Sequence, residues 1–201
     1  MHLPGRERER RERLLDRIEE AAHCGIDYVQ LREKDMPSRD LEELASEAAK
    51  RVRAASGNTR LLINSRTDIA LAASADGVHL RSKDVSPEDV RRIWSQAAGT
   101  VKPVIARSCH SIAEVAAAQE SGSDFIVFSP VFEKKGSANT PAAGLEMLRA
   151  ACRAQVPVLA LGGISPRNAA LCVQAGAKGI AGIRLFQEGN LVSSVAALRS
   201  Q

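Results

Sequence analysis

Seven short apolar, β-branched runs recur along the chain, each followed by a polar loop and then a segment in which Ala, Leu and Val return at helical spacing. The runs are Ile26 to Leu31, Leu61 to Asn64, Gly77 to Leu80, Pro103 to Arg107, Asp124 to Phe128, Val156 to Leu161 and Gly179 to Ile183. Strict alternation of this kind predicts parallel strands, because a parallel neighbour needs a crossover long enough to hold a helix. Four helix starts carry a side-chain cap followed by good helix formers: Ser38, Ser86-Pro87, Ser111 with Glu114, and Ser165-Pro166. Seven strand-helix units in 201 residues match a TIM-type (β/α)8 barrel better than an open doubly wound sheet, which uses fewer strands. The expectation is an α/β fold in one domain, residues 1–201, opening with a helix at about 6–24. That helix follows a Leu-Pro-Gly turn directly, so the barrel apparently lacks its first strand. Neighbouring edges would then be left unpaired, and a partner chain or a homo-oligomer would be one way to cover them.

Composition narrows the function classes. The net charge of +4 is mild, and part of it sits in the run from Arg6 to Arg13, where arginine and glutamate fall at helical pairing distances. That run reads as a solvated helix face. Aromatic residues make up only 3% of the chain, too few to build stacking platforms, so nucleic acid is not an expected partner. No apolar segment is long enough to cross a bilayer, and the amino terminus begins with charge, which points to a cytoplasmic protein. Cys24, Cys109, Cys152 and Cys172 show no metal-ligand or redox spacing and read as reduced core residues. Cys109 and His110 are adjacent on a strand and should diverge, which argues against a thiol nucleophile there.

Polar residues gather where the strands end, and the carboxyl ends of barrel strands are where ligands bind. Gln30, Arg32 and Lys34 leave the first run together, two cations and an amide suited to a phosphorylated substrate. The alternative for the two cations is an ion pair with Glu33 or Asp35. Asn64 and Arg66 end the second run; His79, Arg81 and Asp84 follow the third; Ser108 and His110 end the fourth. Leu161-Gly162-Gly163-Ile164-Ser165-Pro166 runs from a strand through two glycines to a capped helix, an arrangement that brings backbone N–H groups to an anion. A plain tight turn is the other reading. Asp84 is the best single candidate for a Mg²⁺ ligand, since Mg²⁺ on a diphosphate needs only one or two carboxylates; an ion pair with Arg81 or Lys83 competes. His79, between Val78 and Leu80, reads as a satisfied core or rim histidine.

These segments together resemble thiamine phosphate synthase and its thiazole tautomerase-like paralogues. The resemblance runs from about Leu14 to Leu185 and rests on VQLREKD at 29–35, LLINSRTDIALAASADGVHL at 61–80, Asp84, RSCHSIAEVAAAQESGSDFIVFSPVF at 107–132, PVLALGGI at 157–164 and AGAKGIAGI at 175–183. It implies a Mg²⁺-assisted transferase that couples a pyrimidine diphosphate to a thiazole phosphate, giving thiamine phosphate and pyrophosphate. By position, Arg32 and Lys34 would be catalytic. Gln30, Asn64, Ser108, His110, Lys134, Gly162, Gly163 and Arg184 would bind substrate, and Asp84 would hold the metal. Four positions depart from the pattern. Asn64-Ser65 stands for Asn-Asp, removing one of two magnesium carboxylates and weakening the site; Arg81-Ser82 stands for Gly-Gln. Lys134-Lys135-Gly136-Ser137 replaces a Thr-x-Thr-Lys loop, and Arg184 replaces a serine. The tautomerase branch shares Arg107-Ser108-Cys109-His110-Ser111 and Phe132-Glu133, yet its catalytic histidine aligns with Pro130, so a base would come from His110 or Glu133. A tautomerase-like enzyme and a non-catalytic phosphate-binding paralogue are therefore the alternatives to the synthase.

Overall fold

The computed structural model describes residues 4–133 and 142–200. The chain divides into two compact units, Met1–Val78 and His79–Gln201. All seven expected strands are present, each shorter than or close to its apolar run. In the sheet they follow chain order from β1 to β7, and the printed strand pairs are parallel. Among the described residues no strand precedes the first helix.

The first unit holds α1 (Pro4–His23), β1 (Tyr28–Leu31), α2 (Ser38–Ala55), β2 (Arg60–Asn64) and α3 (Thr67–Ala72), and it ends within β3 (Gly77–Leu80). Helix α2 buries Leu41, Leu44, Ala45, Ala48, Ala49 and Val52, one apolar stripe at three- and four-residue spacing. Leu15, Ile18 and Ala22 of α1 are buried as well, the leucine and the isoleucine each contributing about 1.5–3 kcal/mol by leaving water. Part of the charged run on α1 has a partner the sequence did not suggest. The Arg51 guanidinium of α2 binds Glu12, Asp16 at 2.8 Å and Glu19 at 3.6 Å, three acids spaced to face it from α1. Donating to the Glu12 and Asp16 carboxylates, Glu12 foremost, pushes the arginine further above its already basic range.

Strand β1 is less buried than its sequence predicts: Tyr28 and Gln30 are exposed and only Leu31 is fully covered. It is the terminal strand of the sheet order, so among the described residues it has a sheet neighbour on one side only. Two of the four expected caps also differ. Ser38 is the first residue of α2, with Pro37 at the cap and no side-chain capping bond, and its hydroxyl instead accepts a bond from Arg66. Asn168, not Ser165, precedes α7, and its side-chain carbonyl accepts from the Ser165 N–H. Ser86 and Ser111 cap as predicted, accepting from the N–H groups of Asp89 and Glu114.

The second unit continues with α4 (Pro87–Ala98), β4 (Val104–Cys109), α5 (Ile112–Glu120), β5 (Phe125–Phe128), α6 (Gly144–Ala151), β6 (Val158–Ala160), α7 (Ala169–Gln174), β7 (Gly179–Ile180), α8 (Arg184–Gln187) and α9 (Leu191–Arg199). Its core joins Ile126, Phe128, Val131, Leu148, Val158 and Cys172. One device recurs in both units. Asp76, just before β3, accepts a bond from the N–H of Leu61 at 2.8 Å, and Asp124, just before β5, accepts from the N–H of Ile105 at 2.7 Å. Each carboxylate thereby satisfies the N–H of the second residue of the preceding strand, near where that strand begins.

Candidate active site

In the first unit, β1 and β2 pair up to Leu31↔Ile63, so Arg32 and Asn64 leave neighbouring strands at the same level. The next turn is tight: Ser65 has φ 60 and the Arg66 N–H reaches back to the Asn64 carbonyl at 2.7 Å. A left-handed non-glycine residue costs on the order of 1 kcal/mol and needs surroundings that hold it. The Asn64 amide contributes, donating to the Ser65 hydroxyl at 3.2 Å. Arg66 is committed elsewhere, bidentate to Asp68 at 2.6 and 2.8 Å, and this bond holds the Asp68 carboxyl below its usual range.

The competing ion-pair reading of Arg32 and Lys34 turns on Glu33. Its carboxylate faces Arg10 of α1 at 3.6 Å, a contact invisible in the local sequence. Among the described residues Arg32 and Lys34 make no ion pair, and both are exposed at the carboxyl end of β1.

In the second unit, His79 of β3 and Ser108 of β4 meet, Nε2 to Oγ at 2.9 Å, with His79 buried. The expectation of a satisfied histidine therefore holds, and its partner is a serine expected to bind substrate. Arg107 beside it donates to the Ser82 carbonyl at 3.0 Å and to the Ser121 hydroxyl at 3.3 Å. His110 is exposed, and its Nδ1 lies 2.7 Å from the Ser129 carbonyl. A carbonyl only accepts, so Nδ1 carries a proton, and in the neutral ring the lone pair is on Nε2. Ser129 carried no sequence signal; its part in orienting His110 comes from the strand next to β4.

Gly162 and Gly163 are glycines for a reason that sequence reasoning did not anticipate. With φ of +103 and +64 they adopt backbone that side chains avoid, and a Cβ on either would strike the chain at Pro130 or at Phe132 and Glu133 within 2.7–2.8 Å. Their missing side chains make room for the segment after β5. Their amides remain open: among the described residues the N–H groups of Gly162, Gly163 and Ile164 have no hydrogen-bond partner, nor do those of Gly182 and Ile183. Strands β6 and β7 pair directly, so both loops rise from adjacent strand ends. Arg184, exposed, begins α8 just after them. Unpaired amides on two adjacent loops suit a phosphate. Lys134, with Lys135, Gly136 and Ser137, lies outside the described residues.

The family model for thiamine monophosphate synthase matches residues 4–186. The putative thiamine-phosphate synthase 2 of Aquifex aeolicus is 38% identical over 182 residues, covering 88% of this chain and 91% of that protein. A putative thiamine-phosphate synthase of Geobacter sulfurreducens is 42% identical over 171 residues, covering 84% and 76%. The chain belongs to the thiamine monophosphate synthase family. Thiamine phosphate pyrophosphorylase from Pyrococcus furiosus has the same fold, with a TM-score of 0.78 at 26% identity over 92% of this chain and 87% of that one. The α/β barrel-type architecture expected from the strand rhythm is therefore the family's own. No described helix is long and apolar enough to cross a membrane.

Magnesium was expected at Asp84, and the donor set there does not fit it. The Asp84 carboxylate is only 11% exposed, and Arg81 engages both its oxygens. Arg81 N–H donates to Oδ2 at 2.8 Å, while Nη2 and Nε reach Oδ1 at 3.0 and 3.2 Å. A divalent ion on this carboxylate would sit against a guanidinium, a like-charge contact that costs more the less water lies between. Among the described residues no group of three or more acids, histidines or cysteines is arranged to hold a metal.

Cys109 is poorly placed to act as a nucleophile. It is fully buried with its thiol directed to the Glu114 carbonyl, and burial pushes its pKa up to about 11. Fewer than about one in a thousand molecules carry the thiolate at pH 7.5. Iodoacetamide treatment of the native protein should leave Cys109 unmodified while half-buried Cys24 reacts first, as peptide mass spectrometry would reveal. Prompt labelling of Cys109 would contradict this.

Proposed function

We propose that this protein couples a pyrimidine diphosphate to a thiazole phosphate in the cytoplasm, forming thiamine phosphate. The bond between the pyrimidine methylene and the diphosphate oxygen breaks, and pyrophosphate leaves with the electron pair. The thiazole nitrogen donates its lone pair to the methylene carbon, forming the new C–N bond. Arg32 and Lys34 neutralise the charge that grows on the departing oxygens, the step where fixed cations lower a barrier most. Gln30 and Asn64 orient the pyrimidine, with Ser108 as a further polar contact. The open amides of Gly162 and Gly163, with Arg184 nearby, take the thiazole phosphate. The observation carrying this reading is that Arg10, not Arg32 or Lys34, faces Glu33, so both cations are available to an anion.

A second reading has one observation in its favour. His110, with Nδ1–H bound to the Ser129 carbonyl, offers Nε2 as a base that could move a proton on a thiazole carboxylate phosphate. Expression in a thiamine-requiring bacterium that lacks its own synthase separates the two. Growth without added thiamine is expected; no growth despite soluble protein would sink the synthase and leave the tautomerase or a binding paralogue.

A further inference from the structure

The Arg81–Asp84 pair does something that a metal site would otherwise have to do. The two residues close one turn just after β3, the Asp84 N–H donating to the Arg81 carbonyl at 3.1 Å and the Arg81 N–H to Asp84 Oδ2 at 2.8 Å. Backbone and side chain thus clamp the guanidinium through one edge, Nε and Nη2. Its Nη1 has no partner among the described residues, and the side chain is 62% exposed. A planar, permanently charged group with one edge held and the other open is a ready receptor for phosphate oxygens, pre-organised so that little rotamer freedom is lost on binding.

We propose that Arg81, clamped by Asp84, is a further fixed cation that meets the pyrophosphate group in this protein, so that anion binding here needs no divalent metal. Two observations converge on it. Asp84, the carboxylate in the turn just after β3, is already paired with the Arg81 guanidinium. Arg81 stands at the carboxyl end of β3, the end at which ligands bind in such folds. The inference deepens the proposed function and rests on it for the identity of the ligand, though its test is independent of turnover.

Calorimetric titration with inorganic pyrophosphate, in EDTA and again in excess Mg²⁺, tests it on the intact chain. Binding is expected in EDTA, with an affinity that changes less than about 3-fold when Mg²⁺ is added. Arg81→Gln should weaken the binding in EDTA by about 10- to 100-fold, the loss of a charge-assisted bidentate contact, with the circular dichroism spectrum unchanged. Pyrophosphate binding by the unaltered protein only with Mg²⁺, no binding in either condition, or unchanged binding by folded Arg81→Gln would each overturn the proposal. Coupling activity that strictly requires Mg²⁺ would defeat this inference while leaving the synthase reading intact; metal-free pyrophosphate binding without coupling would do the reverse.

Discussion

Arg32→Ala is expected to lower the rate of coupling by about 10²- to 10³-fold, the usual cost of removing a group that stabilises transition-state charge. Its melting temperature should hardly move. The side chain is exposed and unpaired among the described residues, and surface substitutions of that kind shift stability by no more than about 0.5 kcal/mol. Arg10→Ala probes the same point from the other side. Removing Arg10 frees Glu33 to pair with Arg32 or Lys34, but the existing contact is a 3.6 Å surface pair worth about 0.2–1 kcal/mol. Activity should therefore fall only a few-fold, by about 5 at most. Steady-state kinetics on both variants, with thermal melts alongside, checks the contrast. Equal losses in the two, or a large stability loss in Arg32→Ala, would show that the cations belong to the fold and not to the ligand.

Gly162→Ala should strike the fold first and activity through it. The new Cβ would lie 2.8 Å from the Pro130 Cα, a backbone atom with no rotamer to change, at a φ of +103 that an alanine resists. Strain and displacement together should cost about 2–4 kcal/mol. In a domain of this size each kcal/mol lowers the melting temperature by about 2–4 °C, so a fall of roughly 5–15 °C is expected by calorimetry. Gly57→Ala serves as the control, since nothing lies within 4 Å of its added Cβ and its φ is not positive. A neutral Gly162→Ala would mean the segment after β5 does not press on the glycine loop as described.

The fold was legible because it depends on patterns that survive in one dimension. Apolar runs of four to six residues, split by helical spacing, marked all seven strands, and Gly77 to Leu80 matches β3 residue for residue. What the pattern missed came from partners distant in sequence. Ser38 looks like a cap, but Arg66, 28 residues on, takes its hydroxyl, and Pro37 occupies the cap position. β1 falls within an apolar run, yet its place at the end of the sheet order leaves Tyr28 and Gln30 exposed.

The candidate site shows the same division. Residue types at strand ends announced an anion, and Arg32, Lys34, Ser108 and the glycine pair all stand at or just after the carboxyl end of a strand. Local sequence could not decide which carboxylate pairs with which cation. Glu33 sits between Arg32 and Lys34 and turns to Arg10, 23 positions earlier, whereas Asp84 does pair with its near neighbour Arg81. The first outcome favours a ligand at β1; the second removes the carboxylate on which magnesium was expected. Gly162 and Gly163 were read as an approach for phosphate, but their Cβ positions are claimed by residues 130–133, and only their amides face no partner.

Incubation of the purified protein with the pyrimidine diphosphate and the thiazole phosphate, followed by mass spectrometry and quantitation of pyrophosphate, tests the central claim most directly. Thiamine phosphate and pyrophosphate should appear in equal amounts and both should fall in Arg32→Ala. Folded protein that yields neither product, under conditions where both substrates remain intact, would contradict the account.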